Sequence, residues 1–78
     1  MKNQSPVPKS QLSINLNFSK AIQEVINGKK ITRVEWNNAG IYGFLNGNVL
    51  SLHKLDNKNY QWIINDGDLL ANDWMVIK

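Results

Sequence analysis

The sequence predicts an α+β domain: one main N-terminal helix packed on a small, largely antiparallel sheet containing an Asn-Gly hairpin, plus a short second helix. Three observations lead there. Apolar residues recur at helical spacing after Asn17, Asn46-Gly47 separates two apolar runs, and the chain closes on Trp74-Met75-Val76-Ile77. At 78 residues the chain has room for one core. It divides into a polar tail over residues 1–13, rich in Ser, Pro, Lys and Gln, and a single domain over 14–78.

The elements follow in order. Ile14 and Leu16 alternate with Asn15 and Asn17, a strand-like lead-in. Asn17 or Ser19 supplies an N-cap for a helix whose stripe is Phe18, Ile22, Val25 and Ile26. Gly28 suits the left-handed position past the helix end, with Lys29 and Lys30 near the negative pole of its dipole. Asn46-Gly47 then makes a two-residue hairpin between Ile41–Leu45 and Asn48–His53, because both turn positions of that type need positive φ. Counting outward pairs Leu45 with Asn48, Phe44 with Val49 and Tyr42 with Ser51. One sheet face then carries Ile41, Leu45, Leu50 and Leu52, which pack on the helix; the other carries Tyr42, Phe44, Val49, Ser51 and His53. That second face is too apolar to stand in water alone and should meet a subunit or a ligand. Lys54–Tyr60 is a polar loop and Gln61–Ile64 a short apolar segment. Asn65 or Asp66 caps a helical turn through Leu69-Leu70-Ala71, with Asp68 near its positive end. The final apolar run reads as a strand buried on both faces.

Composition narrows the function. With no Cys, disulfides and thiolate metal sites are excluded, and with His53 alone a zinc site would have to rest on carboxylates. A core of this size contributes only about 3–5 kcal/mol, so self-association is the remaining stabiliser. The formal charge of +3 includes Lys2 and Lys9 of the tail, and the rest of the chain is nearly balanced. Only Lys29-Lys30-x-x-Arg33 approaches a basic patch, so no nucleic-acid partner is expected. No apolar signal segment opens the chain and no run of 18 apolar residues occurs, so no membrane partner and a cytoplasmic location are expected.

The chemistry concentrates in Arg33-Val34-Glu35-Trp36-Asn37-Asn38-Ala39-Gly40 and in Asp68-Leu69-Leu70-Ala71-Asn72-Asp73-Trp74. Each sets a Trp, a flat stacking face with one N–H donor, among hydrogen-bonding side chains. Six residues are ligand-binding candidates. Trp36 stacks on a planar ligand or anchors the core. Arg33 offers a fork suited to pyrophosphate or forms an ion pair with Glu35, Asp68 or Asp73. Asn37 reads a base edge or a ribose hydroxyl, or caps a turn. Trp62 gives a second aromatic wall, Tyr42 a ring and a hydroxyl, and Asp73 an acceptor for ribose hydroxyls or a partner for Arg33. Trp74 reads as core. No catalytic residue is assigned: a hydrolase needs a nucleophile and base in concert, and neither a Cys nor a Ser in a nucleophile turn is present.

These residues carry a resemblance. Asn17-Phe18, Ala21-Ile22, Gly28-Lys29-Lys30-Ile31, Arg33-x-x-Trp36-Asn37, Gly40-Ile41-Tyr42, Trp62 and Asp68-Leu69-Leu70-Ala71-x-Asp73-Trp74, in that order, resemble the Thoeris anti-defence 2 family of small phage and prophage proteins. The resemblance implies a sponge without a cofactor that binds a cyclic ADP-ribose isomer, or a cyclic dinucleotide, and does not cleave it. It also implies a homo-oligomer, a tetramer by preference, with pockets between subunits. The competing reading is a self-assembling structural or protein-interaction module with no small-molecule ligand, its Trp residues serving as interface anchors.

Overall fold

A computed structural model describes residues 14–77; the tail expected over residues 1–13 lies outside the described residues. The fold is α+β. In chain order it runs α1 (Phe18–Ile26), β1 (Lys30–Arg33), a 3-10 turn (Val34–Trp36), β2 (Tyr42–Asn46), β3 (Val49–His53), β4 (Asn59–Gln61), α2 (Asp66–Leu70) and β5 (Trp74–Ile77). The five strands form one antiparallel sheet ordered β4-β3-β2-β1-β5. The last strand therefore pairs beside the first.

Helix α1 is stopped and started by side-chain and backbone chemistry. The Asn17 side chain accepts the Lys20 N–H at 2.9 Å, satisfying a free donor of the first turn. At the other end Gly28 has φ +91°, the Gly28 N–H bonds to Val25 O at 2.9 Å, and the Lys29 N–H bonds to Glu24 O at 3.0 Å. Those two bonds with a left-handed glycine make a Schellman motif. The buried stripe is Phe18, Ala21 and Val25. Ile26, expected in it, is 62% exposed, and Ala21 takes the inward place.

The hairpin corrects the expected turn. Asn46 is the last residue of β2 and pairs with Val49, so Gly47-Asn48 is the loop. Gly47 carries φ +63° and Asn48 does not share it, the pattern of a turn with glycine at its first central position. Leu45 therefore pairs with Leu50 and Phe44 with Ser51, in place of Asn48 and Val49. This register sets two leucines across from each other and needs positive φ only at the glycine. The shift on the second strand is an even number of residues, so the faces survive it. Ile41 precedes β2 in a bend, outside the strand where it was expected, and its carbonyl accepts the Thr32 hydroxyl at 2.6 Å.

The lead-in reduces to a bridge between Leu16 and Trp74, with backbone bonds of 2.8 and 3.1 Å. Strand β5 is thus an edge strand, not one buried on both faces. Trp74 is fully buried, while Met75, Val76 and Ile77 are half-buried. The expected Lys54–Tyr60 loop ends early, because Asn59 and Tyr60 begin the edge strand β4.

Both helices lie on one face of the sheet. There Leu16, Phe18, Ala21, Val25, Ile31, Trp62 and Trp74 form the core. Phe18 stands edge-on to Trp74 at 5.6 Å and to Trp62 at 6.1 Å, geometries that aromatic quadrupoles favour. Gly43 makes this possible: a Cβ there would fall 2.3 Å from Trp62 Cζ3, so the indole lies directly on the strand backbone. The opposite face carries Tyr42, Phe44, Val49, Ser51 and His53, joined by Thr32, Met75 and Ile77.

Candidate ligand-binding site

The 3-10 turn after β1 swings Trp36 back over the core. Asn37 closes the turn in the left-handed region at φ 55°, its N–H bonded to Val34 O at 2.9 Å. That conformation is tolerable for Asn because its short polar side chain lowers the usual penalty. Trp36 then meets Trp74 edge-on at 5.2 Å and Trp62 at 6.2 Å, so all three indoles belong to one cluster. Trp36 is the half-buried member of the three.

Beside it opens a cleft of about 380 Å³, lined by Trp36, Ile41, Leu52, Trp62, Ile63, Asn65 and Asp68. The volume lies at the lower end of the range for small-molecule sites. Its walls are two indoles and three aliphatic side chains; its polar groups are an amide and a carboxylate, both from the start of α2. Asn65 caps that helix, its Oδ1 accepting the Asp68 N–H at 2.8 Å. The Asp68 side chain is 9% exposed; Oδ2 accepts the Trp62 indole N–H at 3.4 Å and Oδ1 accepts from Arg33 Nη1 at 3.3 Å. Its backbone carbonyl accepts the Trp74 indole N–H at 3.1 Å. A single residue thus anchors two indoles and a guanidinium.

Behind the cleft sits an ion cluster. Arg33, 10% exposed, donates from Nε to Asp73 Oδ1 at 2.8 Å, and reaches Asp68 and Glu35 at 3.3 Å each. Asp73 also accepts the Glu35 N–H at 2.9 Å. Burial pulls the Arg33 pKa down, but the hydrogen bond and charge of Asp73, with Glu35 and Asp68, leave it raised overall. For Asp73, burial pushes the carboxyl up, and the Arg33 hydrogen bond with the Glu35 N–H more than offsets this, holding it below the ordinary carboxylate value.

The six candidates therefore separate. Trp36 and Trp62 line the cleft. Arg33 and Asp73 stand behind it as an ion pair, joined to it through Asp68. Asn37 is exposed next to Trp36. Tyr42 lies on the opposite sheet face, stacked on His53 at 4.8 Å with Lys30 Nζ 4.7 Å from its ring centre. Asp68 and Asn65 were not among the candidates. The signal for them was the Asn65-x-x-Asp68 spacing, in which an acidic residue three beyond an N-cap usually reaches back to the cap; here it turns inward to Trp62 and Arg33.

Fold and cleft define a small antiparallel α+β domain with an aromatic-walled depression beside its helix-covered core. The family model for the Thoeris anti-defense 2-like (Tad2-like) domain matches residues 16–77, from the first bridge residue to the end of β5, and the chain belongs to that family. No curated protein matches it. Among the described residues no helix is long and apolar enough to cross a membrane, and no group of three His, Cys, Asp or Glu side chains could hold a metal ion.

Proposed function

We propose that this anti-defence protein binds and sequesters a cyclic nucleotide immune signal, a cyclic ADP-ribose isomer or a cyclic dinucleotide, without cleaving it. Family membership supplies the setting. The observation that carries the reading is the cleft, whose lining brings the half-buried Trp36 together with a carboxylate residue, Asp68, and an amide residue, Asn65. Such a site suits a planar base with polar edges. The reading is of a binder and not an enzyme. Asp68 and Asp73, which a carboxylate-only mechanism would use, are committed to Arg33. With the guanidinium committed as well, the ligand phosphates need cations from elsewhere, which favours a homo-oligomer in which another copy completes the site.

Titration with cyclic ADP-ribose isomers and cyclic dinucleotides, followed by indole fluorescence and melting temperature, tests this. A ligand that binds only the folded state raises stability by RT ln(1 + [L]/Kd). Heating the complex should release the ligand chemically unchanged by mass spectrometry; a converted product would make the protein an enzyme. Trp36→Ala should abolish binding without changing oligomer mass.

The apolar second face of the sheet favours one other reading, a self-assembling module with no small-molecule ligand. No melting shift with any nucleotide, together with a stable oligomer, would put that reading ahead.

A further inference from the structure

The chain contains the dipeptide Asn-Gly twice, at Asn27-Gly28 and at Asn46-Gly47, and both copies are exposed. This dipeptide is prone to rearrange. Glycine has no Cβ, so its backbone nitrogen can approach and attack the carbonyl carbon of the asparagine side chain. Sequence and access are alike at the two sites. Only the local bonding separates them.

At the first site the attacking nitrogen is taken. The Gly28 N–H donates to Val25 O at 2.9 Å, flanked by Asn27 N–H on Gln23 O at 3.1 Å and Lys29 N–H on Glu24 O at 3.0 Å. Freeing that nitrogen undoes the Schellman motif and lifts the end of α1, where Val25 is fully buried. At the second site the nitrogen is free: among the described residues the Gly47 N–H has no backbone partner. The adjoining ladder residues Leu45 and Val49 are 38% and 51% exposed, so the tip of the hairpin opens without uncovering the core.

We propose that Asn46-Gly47 is a self-modification site that limits the lifetime of the folded protein, while Asn27-Gly28 is held inert by its helix end. The Gly47 nitrogen gives up its proton and bonds to the side-chain carbonyl carbon of Asn46, and the side-chain nitrogen leaves as ammonia. Water then opens the resulting cyclic imide at either carbonyl. One opening gives aspartate; the other gives isoaspartate, whose main chain runs through the former side chain and is longer by one methylene. One water is consumed, one ammonia is released, and nothing is oxidised or reduced. Each event lowers the formal charge of +3 by one. Asn46 pairs with Val49 in the rung that closes the β2–β3 hairpin, so the longer main chain breaks that rung and loosens the Leu45–Leu50 rung beside it.

Storage of the purified full chain at physiological temperature and mildly alkaline pH tests this, with samples digested over time and mapped by mass spectrometry. The peptide holding Asn46 should gain the mass of amide-to-acid conversion, and the peptide holding Asn27 should do so about tenfold more slowly, since its nitrogen must first leave the helix-end bonds. In concentrated urea the two peptides should convert at the same rate, because only the dipeptide then governs. Cation exchange separates the converted fraction by its lost charge, and its isoaspartyl form should melt below the unconverted protein. The variant Asn46→Ser, stored in parallel, should keep its melting temperature. Equal conversion of Asn27 and Asn46 in the folded protein, or faster conversion of Asn27, overturns the inference. So does conversion of both in urea with none at Asn46 in the folded protein. An isoaspartyl fraction that melts with the unconverted protein overturns the limit on lifetime.

Discussion

The two faces of this sheet are made from the same strands by strict alternation, yet they bury their residues differently. On the helix-covered face Ile31 and Trp74 have no exposed surface, and Trp62 fills the room that Gly43 leaves. On the other, Thr32 and Ser51 are buried with their hydroxyls bonded to the Ile41 and Val49 carbonyls, while Tyr42, Phe44, His53, Met75 and Ile77 remain half-buried. The first face is a finished core. The second satisfies its polar groups internally but leaves its large side chains partly open. Stability should therefore depend on the first face and association on the second.

The largest break in that contrast should come from Trp74→Ala. Removing a fully buried indole that contacts Phe18, Trp36 and Trp62 costs about 3–5 kcal/mol, enough to unfold a domain this small. Circular dichroism at room temperature should show loss of the folded signal. Next comes Gly43→Ala. The added methyl must displace the Trp62 ring, and overpacking of this kind costs up to about 3 kcal/mol. The melting temperature should fall and the cleft should lose ligand affinity with it.

Asp73→Ala should cost about 2 kcal/mol, since it removes the shortest Arg33 bond and the acceptor of the Glu35 N–H. The same bonds predict an acid limb. The folded pKa of Asp73 lies below its unfolded value near 3.9, so its contribution is complete above that value and is lost as pH falls through the folded one. Urea midpoints measured between pH 6 and pH 2 should decline in the wild type and decline less in the variant.

The smallest effect on the monomer should be that of Tyr42→Ala, under about 1 kcal/mol by chemical denaturation, because the ring is half-buried. Ligand binding in the cleft should be unchanged. A loss of binding would instead show that the second face of one copy completes the cleft of another.

The division between the faces was legible in the sequence because alternation survives an even-numbered register error. Tyr42, Phe44, Val49, Ser51 and His53 share a face under either pairing of the hairpin. The turn itself was misplaced by one position, because Asn-Gly and Gly-Asn are both good turn pairs and only the Leu45–Leu50 contact favours the second. The caps at Asn17 and Asn65 and the left-handed Gly28 were readable, being local chemistry. The cleft was readable only in part. Trp36 and Trp62 announced themselves by type, whereas the inward turn of Asp68 depends on Arg33 and Trp62 arriving from other parts of the chain. Tyr42 joins the candidates because alternation puts it on the second hairpin face, expected to meet a subunit or a ligand; it keeps that face, and the cleft opens on the other.

The placement of the last strand beside the first has a kinetic consequence. The β2–β3 hairpin closes a two-residue loop and can form within microseconds. The Arg33–Asp73 pair joins residues 40 apart in sequence, so β5 docks only after a much larger loss of chain entropy. The hairpin is thus the natural nucleus and the ion cluster the late seal. Substitutions at Asp73 should speed unfolding while leaving the folding rate nearly untouched, whereas substitutions within the hairpin should slow folding itself.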